Sequence, residues 1–246
     1  MLNNIVGTLS VAPAGLSPVS GMSVWYDADD AGTFTYSSSN IISQWGDKSG
    51  NSRNATQATV ASQPTRVTSV INGLPVVRFD GSNDFLSFTN ILNGDATFTL
   101  FWVLRPRNVT MGPYQPSFST ATSPDADDGA LHYVNPSGQG AAYPFRTRSG
   151  WTQYDNTNTY TNNTSYLMEF ISDGSVFKVF RNGTQESTNQ TVGTAPSYIT
   201  TNIATQSNPG GRFAAFDFGE ILIYNTTLSG TDVTTNRNYL NAKWGL

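Results

Sequence analysis

Short apolar runs separated by turn residues dominate the chain from residue 22 onward. The stretch LPVVRFDG alternates Val77 and Phe79 against Val76 and Arg78. The run ATFTLFWVLRP is rich in β-branched and aromatic residues and ends at a proline. An alternating period and these residue types predict β-strands that face a core.

Two dipeptides predict tight turns between later strands. Asp173-Gly174 and Asn182-Gly183 divide the stretch SYLMEFISDGSVFKVFRNGTQES. Asp-Gly and Asn-Gly are the strongest short-range hairpin signals. The stretch RFAAFDFGEILIYN then follows as a late central strand.

Only the end of the chain has a helical pattern. Ser229 is a candidate N-cap with Asp232 three residues later, and Gly245 is a candidate stop. The residues that share one face of this helix are Val233, Arg237, Leu240 and Trp244. The pattern therefore predicts an all-β fold, an antiparallel sandwich with one short C-terminal helix.

The domain organisation is predicted to be simple. Residues 1–21 are small and apolar with several prolines and glycines, which is typical of an extended N-terminal arm. This arm is either an anchor that docks on a larger assembly or a disordered leader. Residues 22–246 form one domain, a common size for all-β sandwiches. The chain has no internal repeat, which argues against a propeller or solenoid.

Composition narrows the range of partners. Charged residues make up 12% of the chain, against about a quarter in an average protein. The net charge is −4 and the basic residues are scattered singly, so no cationic stripe exists to bind nucleic acid. No stretch approaches the ~20 apolar residues of a membrane span, and the N-terminus lacks the pattern of a signal peptide. Neither nucleic acid nor membrane is an expected partner.

Six stretches taken together resemble one family. They are SVWYDADD, ISQWGDKSGNSRNATQ, INGLPVVRFDGSNDFLSF, TFTLFWVLRP, VFKVFRNG and GEILIYNTTLSGTDVTTNRNYLNAKWGL. These stretches resemble the laminin-G-like jelly-roll domains of the concanavalin A-like lectin/glucanase superfamily, from about residue 22 to residue 246. The resemblance implies two packed antiparallel sheets. Members of the superfamily bind sugars, bind proteins, hydrolyse polysaccharides or fill space, so the fold leaves the activity open. Domains of this subtype resemble modules of bacterial surface proteins and phage structural proteins, which are usually non-catalytic.

The sequence lacks the usual catalytic patterns. Retaining glucanases of the superfamily carry a Glu-x-Asp-x-x-Glu strand, which Glu169, Glu186 and Glu220 do not form. An inverting pair of distant aspartates is the alternative left open. The single histidine, His132, is predicted to lie in a loop or at a strand edge, and no Gly-x-Ser-x-Gly elbow is present. We therefore expect no enzymatic activity.

Calcium is the one cofactor that the acidic runs suggest, because their carboxylates are oxygen ligands. The run DADDAG at residues 27–32 is interpreted as a turn whose aspartates bond nearby backbone amides. Asp80 and Asp84 are likewise predicted to fix a turn between two strands. A third run is left open between a solvated loop tip and a calcium site; its candidate ligands are Asp125, Asp127 and Asp128.

The loop-rich middle of the chain, residues 107–163, has the composition of a sugar-binding surface. Sugar recognition combines flat aromatic faces with planar polar groups, and long loops often carry binding residues. The candidate glycan-binding residues are Tyr114, Tyr143, Arg146, Arg148, Trp151, Tyr154 and Asp155. The other tryptophans, which are expected in the core or at its rim, are Trp25, Trp45, Trp102 and Trp244.

These features predict a non-enzymatic surface module of a larger assembly, foremost a phage virion decoration or fibre protein. The arm at residues 1–21 would attach it, and host-surface glycans would be its ligands. The expected location is the virion surface or the extracellular space, reached without a signal peptide. The alternatives are a secreted polysaccharide-binding module or hydrolase of the same superfamily, and a structural subunit without a ligand.

Overall fold

A computed structural model of the chain describes residues 16–89, 92, 96–111, 115–119, 130–135, 137–142, 154–186, 190–191, 200–206 and 212–246. Within these ranges it has eighteen β-strands, two 3₁₀ turns at Ala31–Thr33 and Val60–Ser62, and an α-helix, α1, at Gly230–Trp244. The predicted all-β fold with one C-terminal helix is therefore confirmed. No helix in these ranges combines the length and the apolar character needed to cross a bilayer.

Seven strands form the layer on which α1 packs, which we call the helix-side layer. They are β1 (Val24–Asp27), β5 (Thr65–Ile71), β6 (Leu74–Arg78), β8 (Thr97–Pro106), β13 (Tyr166–Asp173), β14 (Val176–Arg181) and β18 (Phe216–Tyr224). Strand β18 is central, because it pairs with β1 and β6 along one side and with β8 along the other. Strand β8 pairs in turn with β13, and β13 with β14. Two short strands extend the layer beyond β14; they are β15 (Thr184–Gln185) and β16 (Gln190–Thr191).

A second layer faces the first. In order of pairing its strands are β4 (Ala55–Thr56), β7 (Leu86–Thr89), β17 (Thr200–Ile203), β9 (Gln115–Ser119), β10 (Ala130–Val134), β11 (Gln139–Ala142) and β12 (Tyr154–Thr159). A hairpin of β2 (Phe34–Ser38) and β3 (Ile41–Trp45) joins the layers, since β3 pairs with both β4 and β5. The sandwich is thus one continuous antiparallel sheet folded on itself.

Aromatic rings from both layers meet in the core. The ring centroid of Trp102 on β8 lies 4.1 Å from that of Phe170 and 5.2 Å from that of Phe118 on β9. Stacked and edge-on aromatic pairs at such distances stabilise a core beyond the burial of their area. Of the four tryptophans predicted for the core or its rim, Trp45, Trp102 and Trp244 are fully buried and Trp25 is partly buried.

His132 contradicts the prediction of a loop or strand-edge position. It lies in β10, between β9 and β11, and its side chain is fully buried. The hydroxyls of Ser117 and Tyr160 lie 2.5 Å and 3.0 Å from its two ring nitrogens. Because both nitrogens have partners, the neutral imidazole is buried without a large penalty, and burial lowers the pKa of His132 to about 3.

The signals predicted for the ends of α1 are confirmed. The Ser229 hydroxyl accepts the backbone N–H of Asp232, and Gly245 adopts a left-handed conformation with φ of 68°. Val233, Leu240 and Trp244 are buried as the helical period requires. The same face also buries polar side chains that the hydrophobic pattern does not mark; these are Asn236 and Lys243.

The last residues of the predicted arm lie on the domain. The backbone N–H of Val19 donates to the side chain of Asn236 in α1, at 2.8 Å. The Tyr224 hydroxyl of β18 donates to the backbone oxygen of Val19, at 2.7 Å. This segment therefore bridges the helix and the central strand. The boundary at residue 21 stays a prediction.

Candidate functional site

Most of the predicted glycan-binding surface lies outside the described residues. This applies to Tyr114, Tyr143, Arg146, Arg148 and Trp151, and also to the candidate calcium ligands Asp125, Asp127 and Asp128. The backbone of Tyr154 and Asp155 begins β12, where the two residues pair with Ala142 and Ala141. The predicted aromatic surface and its calcium site therefore stay predictions.

The first acidic run is part of the architecture. Asp27 is paired with Lys48 at 2.9 Å and with Lys243 of α1 at 2.7 Å. The carboxylates of Asp27 and Asp30 accept backbone N–H groups two residues later, as the turn interpretation predicts. In the described part of the chain, no group of three or more His, Cys, Asp or Glu side chains is arranged to hold a metal ion.

The pair Asp80 and Asp84 also fixes a turn, as predicted. Asp80 Oδ1 accepts the backbone N–H of Ser82 at 2.7 Å. Asp84 Oδ2 accepts the backbone N–H of Asp80 at 3.0 Å. The two carboxylates thus hold the chain between β6 and β7.

A groove of about 350 Å³ opens between the β13–β14 hairpin and the start of α1. Successive residues of a strand point to opposite faces, so alternate residues of the two paired strands line the groove. The residues between them, such as Phe170 and Phe177, point into the core. The strand wall of the groove consists of Ile171, Asp173, Val176, Lys178 and Phe180.

The opposite wall of the groove comes from α1 and the two residues that lead into its cap. Residues three and four positions apart share one face of a helix, and this spacing brings four positions of α1 to the groove. The Ser229 cap fixes where this helix begins and hence where its wall stands. The residues of this wall are Thr227, Leu228, Gly230, Val233, Thr234 and Arg237.

Two charged groups at the groove have partners within the chain. Arg237 makes a two-pronged ion pair with the buried Glu169, with both N–O distances at 2.6 Å, and this pairing raises the pKa of Arg237. The carboxylate of Asp173 accepts the backbone N–H groups of Val176 and Ser175, at 2.7 Å and 2.9 Å, and these bonds lower its pKa. Arg237 is thus held by Glu169, and Asp173 is held by its own turn.

Lys178 is the remaining charge of the groove. It lies directly opposite Ile171 across the hairpin and is partly exposed. Among the described residues it makes no hydrogen bond or ion pair. The groove thus combines apolar side chains of its strand wall, including Phe180, with hydroxyl groups and one available cation. Such a surface can bind a ligand that has both apolar faces and polar groups.

The sequence predicts the hairpin and the helix but not that they lie against each other. The available signal was an outward strand face on which Lys178 alternates with apolar Val176 and Phe180, since a purely solvent-exposed face would be polar. The helix that covers this face begins about fifty residues later in the chain, and nothing local indicates where it docks.

Comparisons with known proteins show the fold. Residues 80–234 match the laminin-G-like family model of the concanavalin A-like lectin/glucanases superfamily. No curated protein matches the sequence.

Similar solved structures include the Trypanosoma rangeli sialidase in complex with sialic acid, with a TM-score of 0.66 and 14% identity over 91% of this chain and 33% of that one. The binding domain of Paraclostridial Mosquitocidal Protein 1 has a TM-score of 0.58 and 12% identity, over 81% of this chain and 52% of that one. The botulinum neurotoxin serotype D binding domain has a TM-score of 0.57 and 11% identity, over 89% of this chain and 50% of that one.

This chain thus spans about a third of the sialidase and half of each toxin chain, and identities this low indicate a shared fold alone. The family match covers more than half of the chain and agrees with the folded sheet. The chain therefore belongs to the concanavalin A-like lectin/glucanase superfamily, as a laminin-G-like domain.

Proposed function

We propose that this protein is a non-enzymatic carbohydrate-binding module and that the groove between β13–β14 and α1 holds part of the glycan. The observation that carries this proposal is the lining of the groove. A sugar ring has C–H faces that pack on aromatic and aliphatic groups, and hydroxyls that need donors and acceptors. Phe180 and Ile171 supply the first kind of contact, and Thr234 and Lys178 supply the second. The groove volume of about 350 Å³ lies within the range of small-ligand sites.

The engagement of the glutamates supports binding without hydrolysis. Glycoside hydrolysis requires two carboxyl groups on either side of the scissile bond. Glu169 is paired with Arg237, Glu186 with Arg181, and Glu220 with Lys243. The three glutamates are thus ion-pair partners within the fold, and none of them lines the groove.

The similar structures support a binding role in a general way. Two of them are described as binding domains of toxins, and the sialidase was solved with sialic acid. Since the likeness extends to the fold alone, the ligand of this chain must be found by experiment.

A pair of neighbouring threonines tests the groove. Thr234 lines the groove, whereas Thr235 does not, and each hydroxyl donates to the backbone oxygen four residues earlier. We expect Thr234→Tyr to fill the groove and to weaken glycan binding at least tenfold. Thr235→Tyr adds the same side chain outside the groove and is expected to bind like the wild type. The measurement is a glycan-array screen with neutral and acidic sugars, followed by titration of the hits.

Two results would overturn the proposal in different ways. A wild-type protein that binds no glycan, with calcium or with a chelator, would contradict the function. Equal binding by wild type and Thr234→Tyr would contradict the groove, and Trp151→Ala would then test the predicted aromatic loop. Melting curves of both tyrosine variants check that each remains folded.

The setting of this module is a separate proposal. We infer that it is displayed on the surface of a larger assembly such as a virion, where its surface meets host glycans. The support is compositional, because the chain is poor in charge and rich in Ser, Thr, Asn and Gln. Co-sedimentation of the full chain with virions tests this setting. A chain that stays in the supernatant would contradict display on the particle surface.

A further inference from the structure

A row of charged side chains crosses the helix-side layer at the end away from the groove. Asp217 of β18 pairs directly with Arg78 of β6 on one side and with Arg105 of β8 on the other. Residues directly opposite each other on neighbouring strands point to the same face. Arg107 lies two residues beyond Arg105 and shares its face. The three arginines therefore surround one aspartate.

Two of the arginines occupy both oxygens of Asp217, which is fully buried. Arg78 forms a two-pronged pair, with Nε 2.7 Å from Oδ1 and Nη2 2.9 Å from Oδ2. Arg105 Nη1 lies 3.0 Å from Oδ2, and its Nε donates to the backbone oxygen of Asn163 at 3.1 Å. The single negative charge of Asp217 is thus shared by the positive charges of Arg78 and Arg105.

Arg107 is the third and least compensated cation. Its Nε lies 3.3 Å from Asp217 Oδ1 but is buried without a hydrogen bond, and its Nη2 donates to the backbone oxygen of Phe79. Burial, followed by the charge of Arg78, lowers the pKa of Arg107, although Asp217 opposes the change. A guanidinium in this position is stabilised by any further anion that reaches it.

The nearby carboxylates do not restore the balance. Asp80 and Asp84 attract Arg107, but both are held in their own turn, and the ion pairs of the three arginines among the described residues all go to Asp217. Burial, together with the charge of Asp80, raises the pKa of Asp84 to about 7, so this carboxyl is only partly ionised at neutral pH. Three guanidinium groups therefore share one ion-paired carboxylate, on a chain whose net charge is −4.

We propose that Arg78, Arg105 and Arg107 form a second binding site, which takes an oxyanion group, a carboxylate or a sulfate, of an acidic glycan. The three side chains are 30%, 19% and 25% exposed. Each has one terminal nitrogen that meets no acceptor among the described residues, namely Nη1 of Arg78, Nη2 of Arg105 and Nη1 of Arg107. Hydrogen bonds from guanidinium N–H donors to an oxyanion are charge-assisted and therefore strong. The choice of a glycan as the carrier rests on the proposed function, whereas oxyanion binding itself does not.

The second site is separate from the groove. Asp173 of the groove pairs with Thr97 at the start of β8, whereas Arg105 lies near the end of that strand. Each site can therefore be disrupted while the other remains.

The test is a calorimetric titration of the full chain at low salt with three probes. Oligogalacturonate presents carboxylates, dextran sulfate presents sulfates, and dextran is the uncharged control. We expect at least one charged probe to bind and dextran not to compete with it. Arg107→Gln is expected to weaken binding at least tenfold, because it removes the charge without taking a hydrogen bond from Asp217. Arg107→Lys keeps the positive charge but not the planar guanidinium group, so we expect it to lose less affinity for the charged probes than Arg107→Gln does.

Arg66→Gln is the matched control, since Arg66 is also a partly buried arginine that donates to a backbone oxygen, that of Ala28. The inference is overturned if neither charged probe binds the wild type, or if Arg107→Gln and Arg78→Gln bind as tightly as Arg66→Gln. The wild type alone provides a second readout, because the bound probe should raise its melting temperature at low salt and not at high salt. Thr234→Tyr should retain the charged probes, so failure of the groove and failure of this site are distinguishable.

Discussion

Glu220 lies under the C-terminal helix with four donors around its carboxylate. The indole of Trp25 and the hydroxyl of Tyr239 donate to Oε1, at 2.7 Å and 2.8 Å. The indole of Trp244 donates to Oε2 at 2.8 Å, and the ammonium of Lys243 lies 3.0 Å from it. A buried charge is tolerated only when it is paired and hydrogen-bonded. This one residue therefore fixes side chains of β1 and α1 in a single arrangement.

Asp84 allows a prediction about pH at the scale of one residue. Its pKa is raised from 3.8 to about 7, mainly by burial. Because the folded-state pKa lies above the unfolded value, its contribution to stability is fully present below about pH 4 and is lost as the pH rises through about 7. Asp84→Asn retains an oxygen for the N–H of Asp80 but carries no charge. We expect the variant to be more stable than the wild type at pH 8, by about 1–2 kcal/mol because solvent screens part of the charge, and equally stable near pH 4.

Urea unfolding of both proteins between pH 4 and pH 8 provides the measurement. The free energy of unfolding of the variant must be compared with that of the wild type at each pH, because His132 changes the stability of both proteins with pH in the opposite direction. Its pKa is lowered to about 3 by burial, so the stability that it contributes is lost as the pH falls below about 6.5. A difference between variant and wild type that does not change with pH would contradict the role of Asp84.

At the scale of elements, α1 depends on one close approach to the central strand. Gly219 of β18 lies under the ring of Trp244, and a Cβ there would lie 2.8 Å from Cζ3 of that ring. Only glycine leaves room for the indole to reach Glu220. The contact thus places the last turn of the helix on the sheet.

We expect Gly219→Ala to lower the free energy of unfolding by about 1–3 kcal/mol, because the indole must shift away from its carboxylate partner. Gly230→Ala is the control, since a Cβ at that helical position meets no atom within 4 Å. Alanine is a better helix former than glycine, so this control should lose no stability. Equal effects of the two substitutions in chemical denaturation would contradict the packing argument.

The β13–β14 hairpin and its groove show how far local signals extend. Asp173-Gly174 and Asn182-Gly183 mark the turns correctly, and Gly174, Asn182 and Gly183 have φ values of 88°, 50° and 77°. These conformations suit glycine and asparagine. The groove was not predicted, because its second wall belongs to a helix whose docking depends on distant residues.

At the scale of the whole molecule, the segment before β1 joins the helix to the central strand. Val19 donates to Asn236 and accepts from Tyr224, and Asn236 is fully buried. The side-chain amide of Asn236 also donates to the Tyr224 hydroxyl, at 3.1 Å. Loss of Val19 would leave part of this buried polar network without partners.

Two truncated chains test this contribution. One begins at residue 16 and the other at residue 22, so that they differ only in residues 16–21. We expect the shorter chain to be less stable by about 1–3 kcal/mol, the usual cost of unsatisfied buried polar groups, and to melt about 2–10 °C lower. Thermal unfolding followed by circular dichroism is the measurement. Coincident melting curves would show that this segment does not stabilise the domain.

Local structure and family can both be predicted from the amino-acid sequence. The strand period, the turn dipeptides and the cap residues Ser229 and Gly245 act through neighbouring residues, so their consequences are visible without a fold. The combination of such stretches also indicated the laminin-G-like family, which the comparison confirmed. Asp80 and Asp84 fixed their turn as predicted for the same local reason.

Which polar residues are buried, and which of them contact each other, depends on the tertiary structure. Asp217 and Arg78 are 139 positions apart, and Glu169 and Arg237 are 68 positions apart. A polar side chain does not reveal in sequence whether it faces water or a distant partner, because burial becomes favourable only after the partner is in place. His132 was misplaced for this reason, since Ser117 and Tyr160 make its burial favourable. The groove likewise exists only where β13, β14 and α1 come together, and the arginine cluster exists only where β6, β8 and β18 do.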